Sequence, residues 1–320
     1  MARILMISEQ TPENRCVVGR FAPSPTGPLH LGSLVAAVGS YAMAKRAGGL
    51  WLLRMEDLDT PRVVPGMADD MFRTLETLGF AWDGEVMWQS RRADAYSAAL
   101  ERLLATGEAY PCGCSRAEIA RAASAPHDGE GEVAYPNICR NGLQPGKEPR
   151  SYRVKVGSEP IVVRDLVMGE KRYDLAQICG DFVVKRADGL FAYQLAVVVD
   201  DADQGVNQVV RGADLLSSTP RQILLQSLLD YETPVYAHLP LVTATGGGKL
   251  SKRDNAVSLA VGLDLAVEGG RLILAALRFL GQRPPESLAG SCGKEVLAWG
   301  AANFDITLVP TASAPLSVHS

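Results

Sequence analysis

The sequence predicts an α/β fold in which parallel strands alternate with helices. Three observations support this prediction. A loop rich in Pro and Gly precedes a helical pattern that starts near residue 34, a continuous apolar run fills residues 50–53, and helical patterns follow at residues 67–78 and 93–104. A short continuous apolar run indicates a strand buried on both faces, as in parallel sheets covered by helices. The alternation therefore favours a nucleotide-binding α/β domain.

The loop ahead of the first helix is the densest motif in the chain and reads RFAPSPTGPLHLGS over residues 20–33. We expect Ser33 to be the N-cap of the helix, because a serine oxygen accepts hydrogen bonds from the first helical N–H groups. The N–H groups that stay unpaired and the helix dipole attract anions. We therefore expect His30 beside nucleotide phosphates, while Gly32 lets a purine ring approach the backbone.

A burst of charge follows the apolar run and reads RMEDLDTPR over residues 54–62. It stands at the carboxyl end of a predicted strand, which is where ligands bind in open α/β sheets. Glu56 is a candidate partner for a cationic group of a substrate. The alternative is that Glu56, Asp57 and Asp59 only cap helices and form salt bridges.

After a stretch of different character, the α/β pattern resumes. Residues 110–190 contain cysteines, a small polar segment and short β-rich runs, which predicts an insertion between two halves of the α/β domain. Residues 193–201 are ambiguous between a helix and a buried strand. A strand is predicted at residues 206–211, and helices at residues 219–229 and 263–280.

Three of the six cysteines lie in the insertion, as Cys112, Cys114 and Cys139. Zinc prefers tetrahedral sites of thiolate and imidazole ligands, and this set leaves a fourth position to fill. His127 is a possible fourth ligand by its chemistry. The alternative is three ordinary free thiols in a reducing compartment.

The composition excludes several classes of protein. The 320 residues carry a net charge of −4, and no apolar segment is long enough to span a membrane. Residues 1–15 lack the cleavage site of a signal peptide, so we interpret them as an N-terminal extension and expect a cytoplasmic monomer. The acidic balance argues against broad nonspecific binding of nucleic acids but is compatible with a local basic groove.

A second motif follows three glycines and reads KLSKR over residues 249–253. Alone, such a run is typical of a solvated loop. Together, HLGS and KLSKR resemble the HIGH and KMSKS signatures of class I aminoacyl-tRNA synthetases, and RFAPSPTGPLHLG resembles the glutamyl branch of that class. The resemblance implies a Rossmann-type catalytic domain that activates an amino acid with ATP and Mg²⁺. It assigns the main phosphate contact to Lys252 and a supporting one to Lys249, on a mobile loop.

The same resemblance implies a glutamate site. In glutamyl synthetases the motif RFAPS, the Glu after the second strand, the Tyr of YQLA and the Arg of RGADLL contact glutamate. The matching residues here are Arg20, Phe21, Ala22, Pro23, Ser24, Glu56, Tyr193 and Arg211. A guanidinium suits the side-chain carboxylate of glutamate, and a carboxylate suits its ammonium group. The ATP site implied by the resemblance comprises His30, Gly32, Ser33 and Lys252.

For the metal, the resemblance points to the ligands Cys112, Cys114, Tyr135 and Cys139, because the family uses C-x-C followed by Y-x-x-x-C. This sequence has a longer spacer between Cys114 and Tyr135, which leaves the choice between Tyr135 and His127 open. The metal is expected to be structural Zn²⁺.

The expected organisation is a synthetase core without a large anticodon-binding region. It comprises an extension (1–15), the first half of the Rossmann domain (16–109), the zinc-containing insertion (110–190), the second half with the KLSKR loop (191–260) and a short helical C-terminal region (261–320). This arrangement resembles the glutamyl-Q tRNA(Asp) synthetases, which activate glutamate without tRNA and transfer it to queuosine in the wobble position of tRNA(Asp). Basic residues such as Lys171, Arg172 and Lys185 are candidates for contacts with the anticodon loop. Two alternatives stay open: a shortened synthetase that charges tRNA(Glu), and a noncatalytic regulator that binds nucleotide or RNA.

Overall fold

The computed structural model describes residues 15–122, 134–243, 259 and 264–316. Its strands are β1 (Val18–Phe21), β2 (Leu50–Met55), β3 (Met87–Trp88), β4 (Ala109–Cys112), β5 (Ser151–Val154), β6 (Ile161–Asp165), β7 (Gly169–Tyr173), β8 (Phe182–Lys185), β9 (Gln208–Gly212), β10 (Val235–Leu239), β11 (Val242–Thr243) and β12 (Ala314–Pro315). Its helices are α1 (Leu31–Arg46), α2 (Met67–Thr77), α3 (Ala93–Ala105), α4 (Arg116–Ala122), α5 (Leu175–Ile178), α6 (Tyr193–Asp203), α7 (Thr219–Leu228), α8 (Leu265–Phe279) and α9 (Gly293–Asn303).

Within these residues, a seven-stranded sheet has the order β3-β2-β1-β9-β10-β6-β7. Neighbouring strands from β3 to β6 run parallel, and β7 runs antiparallel to β6. This arrangement confirms the predicted α/β class with a parallel sheet. The carboxyl ends of the parallel strands therefore lie along one edge, where open α/β sheets bind their ligands.

The predicted strand at residues 50–53 is β2, and it is buried as expected. Trp51 and Leu53 have no exposed surface. The Trp51 ring lies among three aromatic rings, with centroid distances of 6.2 Å to Phe21, 5.1 Å to Tyr41 and 5.5 Å to Phe80. The packing of these rings holds β1 and β2 against α1 and thereby positions the loop between β1 and α1.

Two local features differ from the simplest interpretation of the sequence. The ambiguous residues 193–201 belong to the helix α6, whose residues from Leu195 to Asp201 are all buried. A helix buried on every side has no polar face, so its periodicity does not distinguish it from a buried strand. In addition, β6 and β7 lie within the predicted insertion at 110–190 but pair with the central sheet through β10.

A second sheet, β4-β5-β8, is antiparallel and carries the first cysteine of the cluster at the end of β4. The predicted helix at residues 263–280 is α8 (Leu265–Phe279), which packs on α1 and α9. Across the described ranges, every helix is too short or too polar to cross a lipid bilayer.

Candidate active site and cysteine cluster

Two buried arginines share one carboxylate at the carboxyl edge of the central sheet. Arg20 in β1 is 4% exposed, and Arg54 in β2 has no exposed surface. Asp201 on α6 accepts hydrogen bonds from Nε of Arg20 at 3.2 Å and from Nη1 of Arg54 at 2.7 Å. Burial opposes the ionisation of Asp201, but the two guanidinium groups outweigh burial and lower its pKa. Asp201 therefore stays ionised and orients Arg20.

Glu56 lies beside this cluster, directly after β2. Its Oε1 is 3.4 Å from Nη2 of Arg54, and its side chain is 9% exposed. Burial raises the pKa of Glu56, although the charges of Arg54 and Arg20 act in the opposite direction. A bound cationic group next to Glu56 favours the ionised carboxylate, because an opposite charge at short range offsets the cost of burial.

Arg211 at the end of β9 is 5% exposed and is held by four neighbours. Its Nη2 donates to Thr219 Oγ1 at 2.9 Å and to Gln222 Oε1 at 2.8 Å, and its Nη1 lies 3.5 Å from the hydroxyl of Tyr193. Its Nε donates to Nε2 of His238 at 3.1 Å. The guanidinium is thus oriented before any ligand binds, with Nη1 directed toward Tyr193.

A buried histidine and aspartate support Arg211 from behind. Nδ1 of His238 lies 2.6 Å from Oδ2 of Asp165 at the end of β6. Burial lowers the pKa of His238, and the nearby Arg211 adds to this effect, although the hydrogen bond to Asp165 opposes it. The ring is therefore neutral, with its proton on Nδ1 and a lone pair on Nε2, which lies 3.1 Å from both Nε of Arg211 and Oγ1 of Thr219. Sequence reasoning missed this pair, since no local pattern links residues 73 positions apart.

The structure brings together the predicted residues Arg20, Glu56, Tyr193 and Arg211. The charges of Glu56, Arg20 and Arg211 all act on the hydroxyl of Tyr193, whose pKa is raised mainly by burial. These four side chains come from β1, the residue after β2, the start of α6 and β9. They converge because the strands are parallel and end at the same edge.

The remaining residues of the RFAPS motif differ in how far their side chains are exposed. The ring of Phe21 is buried against Trp51, so only its backbone is left to contact a ligand. Ala22 and Pro23 are half-buried and Ser24 is exposed. The carbonyl of Pro23 accepts from the N–H of Glu56 at 3.0 Å, which fastens this loop to the end of β2.

The prediction that Ser33 caps the first helix is wrong. The N-cap of α1 is His30, whose Nδ1 accepts a hydrogen bond from the N–H of Ser33 at 3.2 Å. The imidazole nitrogen reaches the third helical residue in the way that a serine or aspartate oxygen does. This bond leaves the proton of a neutral ring on Nε2. A Cβ at position 32 would lie 3.1 Å from the imidazole, so Gly32 preserves the position of His30.

The second predicted motif lies outside the described residues, and this applies to Lys249, Lys252 and also His127. Leu259, seven residues after Lys252 in the sequence, is buried and donates its N–H to the carbonyl of Leu29 at 2.9 Å. Leu259 is therefore held next to the residue that precedes His30.

Three thiols and one phenol meet in the cysteine cluster. The Sγ atoms of Cys112, Cys114 and Cys139 all lie within 4.8 Å of one another. The hydroxyl of Tyr135 is 3.4 Å from Sγ of Cys112 and 3.6 Å from Sγ of Cys114. Gly180 adopts a positive φ where a Cβ would lie 2.8 Å from the carbonyl of Tyr135, so glycine is required to seat this tyrosine.

The geometry of this cluster fits a tetrahedral zinc ion. With Zn–S bonds of about 2.3 Å, the ligand atoms of such a site are separated by roughly 3.5–3.8 Å. The backbone N–H of Cys139 donates to the hydroxyl oxygen of Tyr135 at 3.0 Å and holds that oxygen beside the thiols. Burial opposes the ionisation of Cys112, but hydrogen bonds led by Tyr135, with the charge of Arg153, lower its pKa to about 7. Thiolate is the form that binds zinc.

Comparisons with known proteins agree with this architecture. The family model described as tRNA synthetases class I (E and Q), catalytic domain, matches residues 16–287. The Glutamyl-Q tRNA(Asp) synthetase of Geobacter sulfurreducens is 75% identical over 299 residues, which are 93% of this chain and 95% of that protein. Its namesake from Thiobacillus denitrificans is 54% identical over 296 residues, covering 92% of this chain and 95% of the relative.

A solved structure extends the similarity beyond the sequence relatives. The glutamate tRNA ligase from Elizabethkingia meningosepticum, in complex with its amino acid, superposes with a TM-score of 0.80 at 28% identity, covering 95% of this chain and 68% of that chain. Fold, site geometry and sequence identity thus lead to one assignment. The chain belongs to the glutamyl-Q tRNA(Asp) synthetase family, within the class I tRNA synthetases for E and Q.

Proposed function

We propose that the protein activates glutamate with ATP to glutamyl-adenylate, without tRNA, and transfers the glutamyl group to queuosine in the wobble position of tRNA(Asp). The observation that carries this proposal is the convergence of Arg20, Glu56, Tyr193 and Arg211 at the carboxyl edge of the sheet. The names of two relatives, which are 75% and 54% identical to this chain, support tRNA(Asp) as the RNA substrate.

Glutamate has three charged groups, and the pocket offers a partner for two of them. Arg20 and Arg211 supply guanidinium groups for the side-chain carboxylate, and the hydroxyl of Tyr193 completes this contact. Glu56 receives the ammonium group, whose charge offsets the burial that raises the pKa of Glu56. The α-carboxylate is then the group that is left to react.

In the activation step, an oxygen of the α-carboxylate attacks the α-phosphorus of ATP. The bond from that phosphorus to the bridging oxygen breaks, and pyrophosphate leaves. Negative charge builds on the phosphates, so catalysis consists of positioning and electrostatic stabilisation. His30, Gly32 and Ser33 are the residues proposed for ATP, with Lys252 as main phosphate contact and Lys249 in support. Mg²⁺ supplies further charge neutralisation on the phosphates.

In the transfer step, a hydroxyl of the cyclopentenediol ring of queuosine attacks the carbonyl of the adenylate. AMP leaves, the hydroxyl proton is released, and an ester forms. The residues Cys112, Cys114, Tyr135 and Cys139 are proposed to hold a structural Zn²⁺ that fixes the small β4-β5-β8 sheet beside the site.

The decisive experiment is charging with labelled glutamate, ATP and two tRNA pools, one with queuosine and one without it. The product is cut with a nuclease, and the labelled fragment is identified. Label on the anticodon fragment of tRNA(Asp), only in the pool with queuosine, supports the proposal. Label on the 3′-terminal adenosine of tRNA(Glu) in both pools would instead identify a synthetase of the ordinary kind. Absence of glutamate-dependent ATP–pyrophosphate exchange would point to a noncatalytic regulator.

A further inference from the structure

Two adjoining cavities form a continuous groove that starts at the glutamate site. The first, of about 550 Å³, is lined by Tyr193 and Gln194 at one end and extends to Tyr135. The second, of about 610 Å³, shares Arg116 and Arg153 with the first and continues across the small sheet. We call this combined feature the arginine groove.

Within the described part of the chain, five arginines line the groove, and their positive charge contrasts with the net charge of −4 of the whole protein. They are Arg116, Arg150, Arg153, Arg186 and Arg221. One acidic residue, Asp188, lies among them and pairs with Arg186 at 2.5 Å. A protein with an acidic balance attracts a polyanion only through such a local concentration of positive charge.

Arg116 and Arg150 differ from the other arginines in this set. Both are exposed, and neither side chain forms an ion pair with any residue in the described ranges. Arg153, by contrast, is 8% exposed, donates to the carbonyl of Asp181 at 2.7 Å and stacks over the ring of Tyr135 at 3.7 Å. Arg116 and Arg150 thus have their full charge available for a ligand, whereas Arg153 forms part of the wall.

An unsatisfied acceptor stands at the inner end of the groove. The amide nitrogen of Gln194 donates to Ser218 Oγ at 3.1 Å, but its Oε1 is buried without a hydrogen-bond partner among the residues described. Leaving a buried carbonyl unpaired is unfavourable, and a bound N–H or O–H donor would satisfy it. Gln194 directly follows Tyr193, a residue of the glutamate pocket. A nucleoside that accepts the glutamyl group has to enter this pocket.

We infer that the arginine groove binds the phosphodiester backbone of a single-stranded RNA loop, with Arg116 and Arg150 as phosphate contacts and Gln194 as acceptor for the nucleoside that enters the glutamate site. This inference rests on the proposed function, because it takes the RNA to be the anticodon loop of tRNA(Asp). Loop bases are unstacked and can be splayed into a cleft, while their phosphates follow a positive groove. The basic residues proposed from sequence lie elsewhere: Lys171 and Arg172 are on the outermost strand β7, and Lys185 stacks on Phe191.

The test uses the double variant Arg116→Ala/Arg150→Ala in the full-length protein. Binding of tRNA(Asp) isolated with its queuosine is measured by filter binding from 50 to 300 mM salt. Each phosphate contact to a single strand contributes about 0.7 to the slope of log K against log salt. The double variant should therefore lose about 1.4 from this slope and bind about tenfold more weakly or worse at 0.1 M salt. The charge-preserving variant Arg116→Lys/Arg150→Lys should keep the slope.

The matched control is Arg46→Ala, which removes an exposed arginine at the end of α1, on the opposite edge of the sheet. It should leave tRNA binding and its salt slope unchanged. An unchanged slope and affinity in Arg116→Ala/Arg150→Ala would overturn the inference, as would an equal loss in the Lys variant, which would indicate a structural role for these arginines.

An error in the groove assignment and an error in the proposed function would give different experimental results. If the groove assignment alone is wrong, the double variant transfers glutamate to tRNA(Asp) with the same KM as the wild type. If the proposed function is wrong, the wild type itself does not label the anticodon fragment. If both are right, the double variant keeps its ATP–pyrophosphate exchange and raises the KM for tRNA by about tenfold. For Gln194→Leu, we expect a reduced rate of transfer at an unchanged salt slope, because no phosphate contact is lost.

Discussion

Replacing Asp201 by Asn tests the buried charge cluster at the centre of the site. The carboxylate of Asp201 binds Arg20 and Arg54, which are 4% and 0% exposed. Asn keeps the shape and one acceptor oxygen but removes the charge between two buried guanidinium groups. Removing one partner of a buried ion pair costs about 3–5 kcal/mol, and we expect about 3 kcal/mol here because both arginines donate to Oδ1, an acceptor that the amide oxygen of Asn replaces.

This loss converts into a measurable shift of the melting temperature. The entropy of unfolding is about 2.1 cal/mol/K per residue, or roughly 0.7 kcal/mol/K for 320 residues. The midpoint of Asp201→Asn should therefore fall by about 4 °C in calorimetry at pH 7. The control is Asp203→Asn on the same helix, where the carboxylate is 46% exposed and pairs with Arg92 at the surface. That change should cost less than about 1 kcal/mol.

The effect of Asp201→Asn should also depend on pH. Since Arg20 and Arg54 lower the pKa of Asp201 in the folded protein, the charge contributes stability above its ordinary value near 3.9. That stability is lost as the pH falls through the lower value of the folded state. The difference between wild type and Asp201→Asn should be constant from pH 5 to 7 and shrink below pH 4. Equal midpoints of wild type, Asp201→Asn and Asp203→Asn at pH 7 would refute this reasoning.

Three further predictions concern substrate positioning, the metal and the phosphates. In Asp165→Asn the new amide can donate to Nδ1 of His238, which moves the ring proton to Nε2. That proton then faces the N–H of Arg211 and displaces the guanidinium. The KM for glutamate should therefore rise about tenfold in ATP–pyrophosphate exchange, with the KM for ATP unchanged. For the proposed zinc site, Cys112→Ser should contain less zinc than the wild type in elemental analysis and should melt at a lower temperature, because metal binding is coupled to folding. Lys252→Ala should reduce the rate of exchange by a factor of 100 or more, because it removes the charge proposed to stabilise the phosphates in the transition state.

Each of these changes has a control on the same chain. Asp230→Asn changes an exposed aspartate with a positive φ of 56°, a conformation that Asn also accepts, and should leave both KM values unaltered. Cys292→Ser removes an exposed thiol and should retain the metal. Lys294→Ala removes an exposed lysine on α9 and should keep full exchange. Each prediction has an outcome that would contradict it. These outcomes are a rise in the KM for ATP in Asp165→Asn, retention of zinc in Cys112→Ser, and normal ATP–pyrophosphate exchange in Lys252→Ala.

Local patterns in the sequence predicted the parallel strands β1, β2 and β9, and the resemblance to glutamyl synthetases assigned the side chains at their carboxyl ends. The apolar run before Glu56 and the strand before Arg211 identify parallel strands, and parallel strands bring their carboxyl ends together. For that reason residues separated by more than a hundred positions could be expected in one pocket. The cysteine spacing likewise led to the cluster, and the hydroxyl of Tyr135 lies with the thiols.

Contacts between distant polar residues could not be predicted in this way. Nothing near Arg54 in the sequence identifies Asp201 as its partner, since the pairing depends on where α6 lies relative to β2. The same holds for Asp165 and His238, which meet only because β6 lies next to β10. The cap of α1 was missed for a different reason: His30 replaces the usual oxygen by an imidazole nitrogen, a choice that residue preferences for N-caps do not anticipate.

The position of β6 has a consequence for the local unfolding of the protein. The chain leaves the small sheet after β5, adds β6 to the central sheet beside β10, and returns to the small sheet as β8. The N–H of Leu166, which donates to the carbonyl of Tyr236 in β10 at 2.9 Å, should therefore exchange its hydrogen as slowly as the central sheet, while amides of β4, β5 and β8 should exchange faster in Cys112→Ser. Local unfolding that starts at the cysteines would then stop at Asp165, so the contact between Asp165 and His238 would persist after the proposed RNA-binding groove has unfolded.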